Sequence, residues 1–176
     1  MRDAKVTLMA VAGDQFSSRL IEWRSIGWAH FASILPDGSV LDSRADIVKV
    51  KGACYPEGVQ LRPKGYLDTE PRWLKVEIPC THAQANAWET ALRSQLNKPY
   101  DFPGIWSFVT EGKDRNWREQ SAWFCSELGL WALERAGICH QLDMPAFRFT
   151  PGDAIAICAA LGHVVASKGI GKKLAA

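Results

Sequence analysis

The stretch that most limits how this chain can fold is residues 28–42, Trp28-Ala29-His30-Phe31-Ala32-Ser33-Ile34-Leu35-Pro36-Asp37-Gly38-Ser39-Val40-Leu41-Asp42. It reads as a β-hairpin. Pro at the second and Gly at the fourth position of Leu35-Pro36-Asp37-Gly38 fit a type I turn whose last residue is left-handed, the common three-residue hairpin loop. That loop fixes the register: Leu35 faces Ser39, Ala32 faces Asp42 and His30 faces Arg44. His30 and Asp42 then become diagonal neighbours on one face of the ribbon. A two-residue Asp37-Gly38 loop would slip the pairing by one and send them to opposite faces. In the favoured register the Asp42 carboxylate can bond one imidazole nitrogen and leave the other free to take a proton.

A nucleophile for that base is offered by Trp123-Phe124-Cys125-Ser126-Glu127-Leu128-Gly129-Leu130-Trp131-Ala132-Leu133-Glu134-Arg135-Ala136-Gly137. Leu128, Trp131, Ala132 and Arg135 recur at the spacing of one helical face, and Gly137 stands where a helix stops in the left-handed conformation. Cys125 therefore lies in or just before the first turn. Unpaired N–H groups and the positive end of the helix dipole favour an anion there, which lowers a thiol pKa and supplies donors for a developing oxyanion. A lone cysteine is more often core packing. The His30/Asp42 ribbon is what raises Cys125 above that reading, because nucleophile, base and orienting acid then form a set.

The rest of the chain supplies a frame. Val6–Ala12 suits a first strand, residues 14–26 a helix stopped by Gly27, Ile47–Lys51 a half-buried strand, Val59–Leu61 a short strand and Trp73–Ile78 another. Residues 52–71, with three prolines and three glycines, read as a long loop of the kind that forms a lid or substrate wall. Thr81-His82-Ala83-Gln84 is a capping-box sequence for a helix over 82–96 ending at Asn97, which makes His82 a surface residue. Ile105 to Gln120 looks like an exposed excursion, and 147–149 a short strand. Thr150-Pro151-Gly152-Asp153 provides an N-cap, a first-turn proline and an acid for a last helix over 154–161.

A chain of 176 residues with this composition suits a single domain over 1–176, with a basic, flexible tail over 167–176. A net charge of +2 is too small to argue for nucleic acid. The five scattered cysteines carry no zinc or disulfide spacing, so a reducing compartment is the simpler expectation. The N-terminal apolar run lacks a cleavage site and no stretch reaches the roughly 20 apolar residues of a membrane span. The location expected is cytoplasmic, unless another system delivers or releases the protein. Histidines 30, 82, 140 and 163 show no metal-ligand spacing, and no metal or cofactor is expected.

Taken in order, Ala29-His30-Phe31-Ala32-Ser33-Ile34, Asp37-Gly38, Pro99-Tyr100-Asp101, Phe124-Cys125-Ser126-Glu127-Leu128 and Thr150-Pro151-Gly152-Asp153 resemble the circularly permuted papain-like hydrolases. The likeness is to the YiiX/YebB-like branch of the NlpC and lecithin retinol acyltransferase superfamily, bacterial or phage proteins among them. It implies an α+β fold, an antiparallel sheet or small barrel packed against helices. It also implies a cysteine peptidase or amidase that cleaves a peptide, isopeptide or peptidoglycan amide, or a thioester or ester. Cys125 would be nucleophile, His30 base and Asp42 orienter, with Tyr100 of the Tyr-Asp motif donating to the oxyanion or closing the pocket; a turn tyrosine that packs its ring is the equal alternative. Trp28 and Trp123, each two residues before a proposed catalytic residue, would line the substrate pocket. Two readings from other classes stand beside this one: a binding or structural module of phage or secretion systems, and a lipid acyltransferase. The oligomeric state is left open.

Overall fold

The computed structural model describes residues 2–12, 27–102, 121–140 and 149–170. Eight strands and three helices follow one another there: β1 (Ala4–Ala12), β2 (His30–Ile34), β3 (Val40–Arg44), β4 (Val48–Val50), β5 (Ala53–Tyr55), β6 (Gly58–Arg62), β7 (Arg72–Cys80), α1 (His82–Arg93), α2 (Cys125–Arg135), α3 (Pro151–Leu161) and β8 (His163–Lys168). Six of the strands form an antiparallel sheet in the order β6-β3-β2-β1-β7-β8, and β4 and β5 make a separate hairpin. Among the described residues the order has two ends, an open sheet against helices.

Alternation along the strands sorts the core into two layers. Val6, Leu8 and Ala10 of β1, Phe31 of β2, Leu41 of β3 and Val76 and Ile78 of β7 face the helices. Met9, Val11, Ala32 and Val40 face the other side, where Leu67 and Tyr66 of the 63–71 segment cover them. Residues 125–133 of α2 are all buried. A helix without a wet face belongs to the middle of a core, so α2 is the element on which the helical layer is built. Gly129 lets α2 approach β2: a Cβ there would stand 2.8 Å from Cδ1 of Phe31 and closer still to Cε1.

The capping predictions are met. Thr81 accepts from Gln84 N–H while Gln84 answers to the Thr81 N–H, and Thr150 and Asp153 do the same for α3. Helix α1 ends at Arg93, short of the expected Leu96, and the chain turns through residues 94–97 to a left-handed Asn97. The 52–71 segment is more structured than a lid: it contains β5, β6 and a turn region anchored by buried Leu67. The expected tail over 167–176 starts too early, because Ser167 and Lys168 pair with Leu74 and Trp73 in the edge strand β8. The expected helix over 14–26, the excursion over 105–120 and residues 147–148 lie outside the described residues. No helix among the described residues is long and apolar enough to cross a membrane.

Candidate active site

The turn at 35–38 does what its residues dictate. Gly38 adopts φ +83°, its N–H donates to the Leu35 carbonyl at 2.8 Å, and Leu35 N–H donates to Ser39 at 2.8 Å. The ladder that follows pairs Ser33 with Leu41 and Ile34 with Val40, the register expected from the loop. Asp42 and His30 accordingly share a face, and His30 Nε2 lies 2.7 Å from Asp42 Oδ2 with both side chains buried.

Asp42 is held from two further directions. Arg62, across β6, donates to Oδ1 and, at 3.2 Å, to the Asp42 main-chain carbonyl. Tyr66 donates its hydroxyl to Oδ2, the oxygen that also bonds His30. Burial alone would raise the carboxyl pKa, but His30, Arg62 and Tyr66 outweigh it and hold Asp42 below its usual range. Burial is also the main influence on His30, which it lowers below 6.5 against the upward pull of Asp42. A neutral imidazole bonded through Nε2 to a carboxylate carries its proton on Nε2 and its lone pair on Nδ1.

Cys125 enters at the open end of the hairpin. Because the Leu35 N–H donates to the Ser39 carbonyl, the odd residues of β2 turn their N–H groups toward β3. The observed pairing runs no nearer the strand start than Ser33, and there the Phe31 N–H meets the Cys125 sulfur instead. On the other side Ser43 Oγ, from β3, donates to the Trp123 carbonyl at 2.8 Å. The start of α2 thus meets β2 at Phe31 and β3 at Ser43, the chain neighbours of His30 and Asp42. Cys125 is the first residue of the helix and 3% exposed. Burial pushes its thiol up to about 12, and the Phe31 and Ser126 N–H groups pull it down by less. The helix-end lowering expected from the sequence is therefore overridden by burial.

The other expected residues fall in different places. Tyr100 is buried, packs on Phe102 and Phe124, and pairs with Trp123 as an isolated parallel bridge. Burial first and the neighbouring Cys125 second raise its hydroxyl pKa, so it stays a donor beside the sulfur. Trp28 is half-buried, with the Arg72 guanidinium 5.3 Å from its ring. Trp123 has no exposed surface; its indole N–H donates to Gln95 at 3.1 Å and its ring packs on Trp131, which is a core position. Glu127 accepts the Phe124 N–H and so ties down the residue before Cys125. His82 is exposed, as its first-turn position implied.

Arg62 and Tyr66 are the site residues the sequence reading missed. The expected strand stopped at Leu61, one residue short of Arg62. A buried carboxylate demands a cation or several donors, and Arg62 sits diagonally across β6 from Asp42 on the same face, since Asp42 pairs with Gln60. Tyr66 has no such periodic signal.

No family model and no curated protein matches the sequence. Among solved structures the fold is similar to the crystal structure of metalloprotein yiiX from Escherichia coli O157:H7, with a TM-score of 0.53 and 15% identity, covering 77% of this chain and 67% of that one. The likeness is one of fold. That protein is called a metalloprotein; among the described residues here, no three His, Cys, Asp or Glu side chains converge as ligands. The Asp42 oxygens, moreover, already serve a guanidinium, a phenol and an imidazole. The described residues of this chain form a mixed α+β architecture, an antiparallel sheet packed against three helices, with which that neighbour is compatible.

Proposed function

We propose that the protein is a cysteine hydrolase of the permuted papain-like type, acting on an amide or on a thioester or ester. The observation that carries this is the buried His30–Asp42 pair at 2.7 Å, with Cys125 at the start of α2 against the backbone of Phe31, the residue next to His30. His30 Nδ1 takes the thiol proton as the sulfur attacks the substrate carbonyl, so the thiolate forms only as it is consumed. The carbonyl π pair moves to oxygen, where the Cys125 N–H, one of the first-turn donors without a helical partner, and the Tyr100 hydroxyl can receive it. The imidazolium then protonates the leaving amine, alcohol or thiol as its bond to carbon breaks. Water, deprotonated by the same nitrogen, cleaves the acyl-thioester and restores the thiol. Asp42 keeps its charge throughout and steadies the imidazolium.

This chemistry is tested on a panel of small amides, esters and thioesters. Cys125→Ala and His30→Ala should each remove nearly all turnover, and the double variant should be hardly worse, because the two act as a unit. Asp42→Asn should retain more. Turnover by Cys125→Ala at the wild-type rate would sink the proposal. The deep burial and raised pKa of the thiol favour a second reading, a binding module whose Cys125 is core packing. On that reading Cys125→Ala keeps the biological role in a complementation assay and any loss follows the melting curve.

A further inference from the structure

We infer that Arg62 and Tyr66 are positioning residues for the proposed base, locking the Asp42 carboxylate against His30 so that the imidazole offers Nδ1 to Cys125 in one fixed orientation. The inference rests on the hydrolase reading of the site. The Arg62 side chain is fully removed from water, as is that of Asp42. A guanidinium in that position is costly unless its partners are supplied by the fold; its two terminal nitrogens have them in Asp42 Oδ1, the Asp42 carbonyl and the Pro56 carbonyl at 3.3 Å, while the buried Nε has none. It thereby fixes the backbone of β3 as well as its carboxylate.

Tyr66 arrives from a different part of the chain. Its segment is pinned to the sheet by buried Leu67, by Lys75 on Asp68 at 2.7 Å and by Lys168 on the Asp68 carbonyl at 3.2 Å. Oδ2 is shared by Tyr66 and His30 while Oδ1 belongs to Arg62. Rotation of the carboxylate would break a buried bond whichever way it turned, and a buried polar group left unpaired costs about 1–3 kcal/mol. Residues serving only to hold β3, β6 and the 63–71 segment together would not need the oxygen that the imidazole uses.

The clamp also sets how strong a base His30 is. The charged groups that act on it are Asp42 and Arg44 of β3, Asp46 beyond it and Arg62 of β6, and Tyr66 of the covering segment reaches it through Asp42. Each donor on Asp42 draws negative charge away from the imidazole. Removing a donor therefore makes His30 more basic, whereas removing the carboxylate makes it less so.

These opposite signs give the test: NMR titration of the His30 ring in the full-length wild type, Tyr66→Phe, Arg62→Lys and Asp42→Asn, with a melting curve for each. Tyr66→Phe should raise the His30 midpoint by up to about one unit and blur the Nε2–H tautomer seen in the nitrogen shifts. Arg62→Lys, which keeps the cation and loses the fork, should blur the tautomer with a smaller midpoint shift. Asp42→Asn should lower the midpoint. A folded Tyr66→Phe with an unmoved midpoint, while Asp42→Asn moves it, overturns the positioning role alone. An unmoved midpoint in Asp42→Asn overturns the hydrolase reading with it. If the Arg62 variant fails to fold, Tyr66→Phe decides.

Discussion

Burial keeps His30, the proposed base, neutral, and that has a measurable cost. Its folded pKa lies below 6.5, whereas in the unfolded chain it protonates near the ordinary value of about 6.5. As pH falls the unfolded state takes up the proton first, so the stability tied to His30 is complete above about pH 6.5 and is lost from there down to the folded pKa. Asp42 is also lowered and adds a second loss beginning below its ordinary 3.8. The urea midpoint of the wild type should therefore fall in two stages on acidification, and His30→Gln should flatten the first while keeping the second. An unchanged first stage in His30→Gln would locate the acid sensitivity elsewhere. Cys125 illustrates what sequence could not give at this scale. Its place at a helix start was legible from Leu128, Trp131 and Gly137, but the burial that outweighs the helix-end effect depends on packing contributed by β2, β3 and Tyr100.

At the scale of elements the site depends on two close approaches. One is the 35–38 turn, whose Pro, Asp and Gly were enough to give the register and hence the His30–Asp42 pair from sequence. The other is the contact of α2 with β2 through Gly129, which no periodic pattern announces because a glycine inside a helix looks only like a weak spot. Gly129→Ala gains about 1 kcal/mol in helix propensity but drives a methyl into the Phe31 ring, buried with 0% exposure. Overpacking of this kind typically costs about 1–3 kcal/mol, so the clash outweighs the propensity gain and the net change should be destabilising by up to about 2 kcal/mol. Phe31→Leu in the same chain should recover part of it. Denaturant unfolding of the single and double variants measures this, and a stabilised Gly129→Ala would show that α2 does not press on β2 as described. Strand β8 was missed for a related reason: His163-Val164-Val165-Ala166 is short, follows a glycine and runs into a basic stretch, so its local pattern resembles a chain end. Its strand character comes from pairing with β7.

For the whole molecule, residues far apart in the chain meet because β3 lies at the junction of three layers of contact. Across it β2 brings His30, β6 brings Arg62, the covering segment brings Tyr66, and the start of α2 brings Cys125 to the opening at its end. The His–Asp half of the site was readable because it is local, within one hairpin. The clamp was not, since it joins β3 to a loop with no repeating pattern. The claim that joins them is that His30 activates Cys125, and it is tested most directly by following acylation of Cys125 by a small activated ester across pH, with peptide mapping to locate the adduct. Wild-type protein should form the Cys125 acyl adduct at neutral pH and into mild acid, where His30 remains unprotonated. His30→Ala should be slower by about 100-fold or more, recovering only as pH approaches the thiol's own value of about 12. Equal rates in the two proteins at neutral pH, or an adduct on exposed Cys54 and none on Cys125, would contradict it.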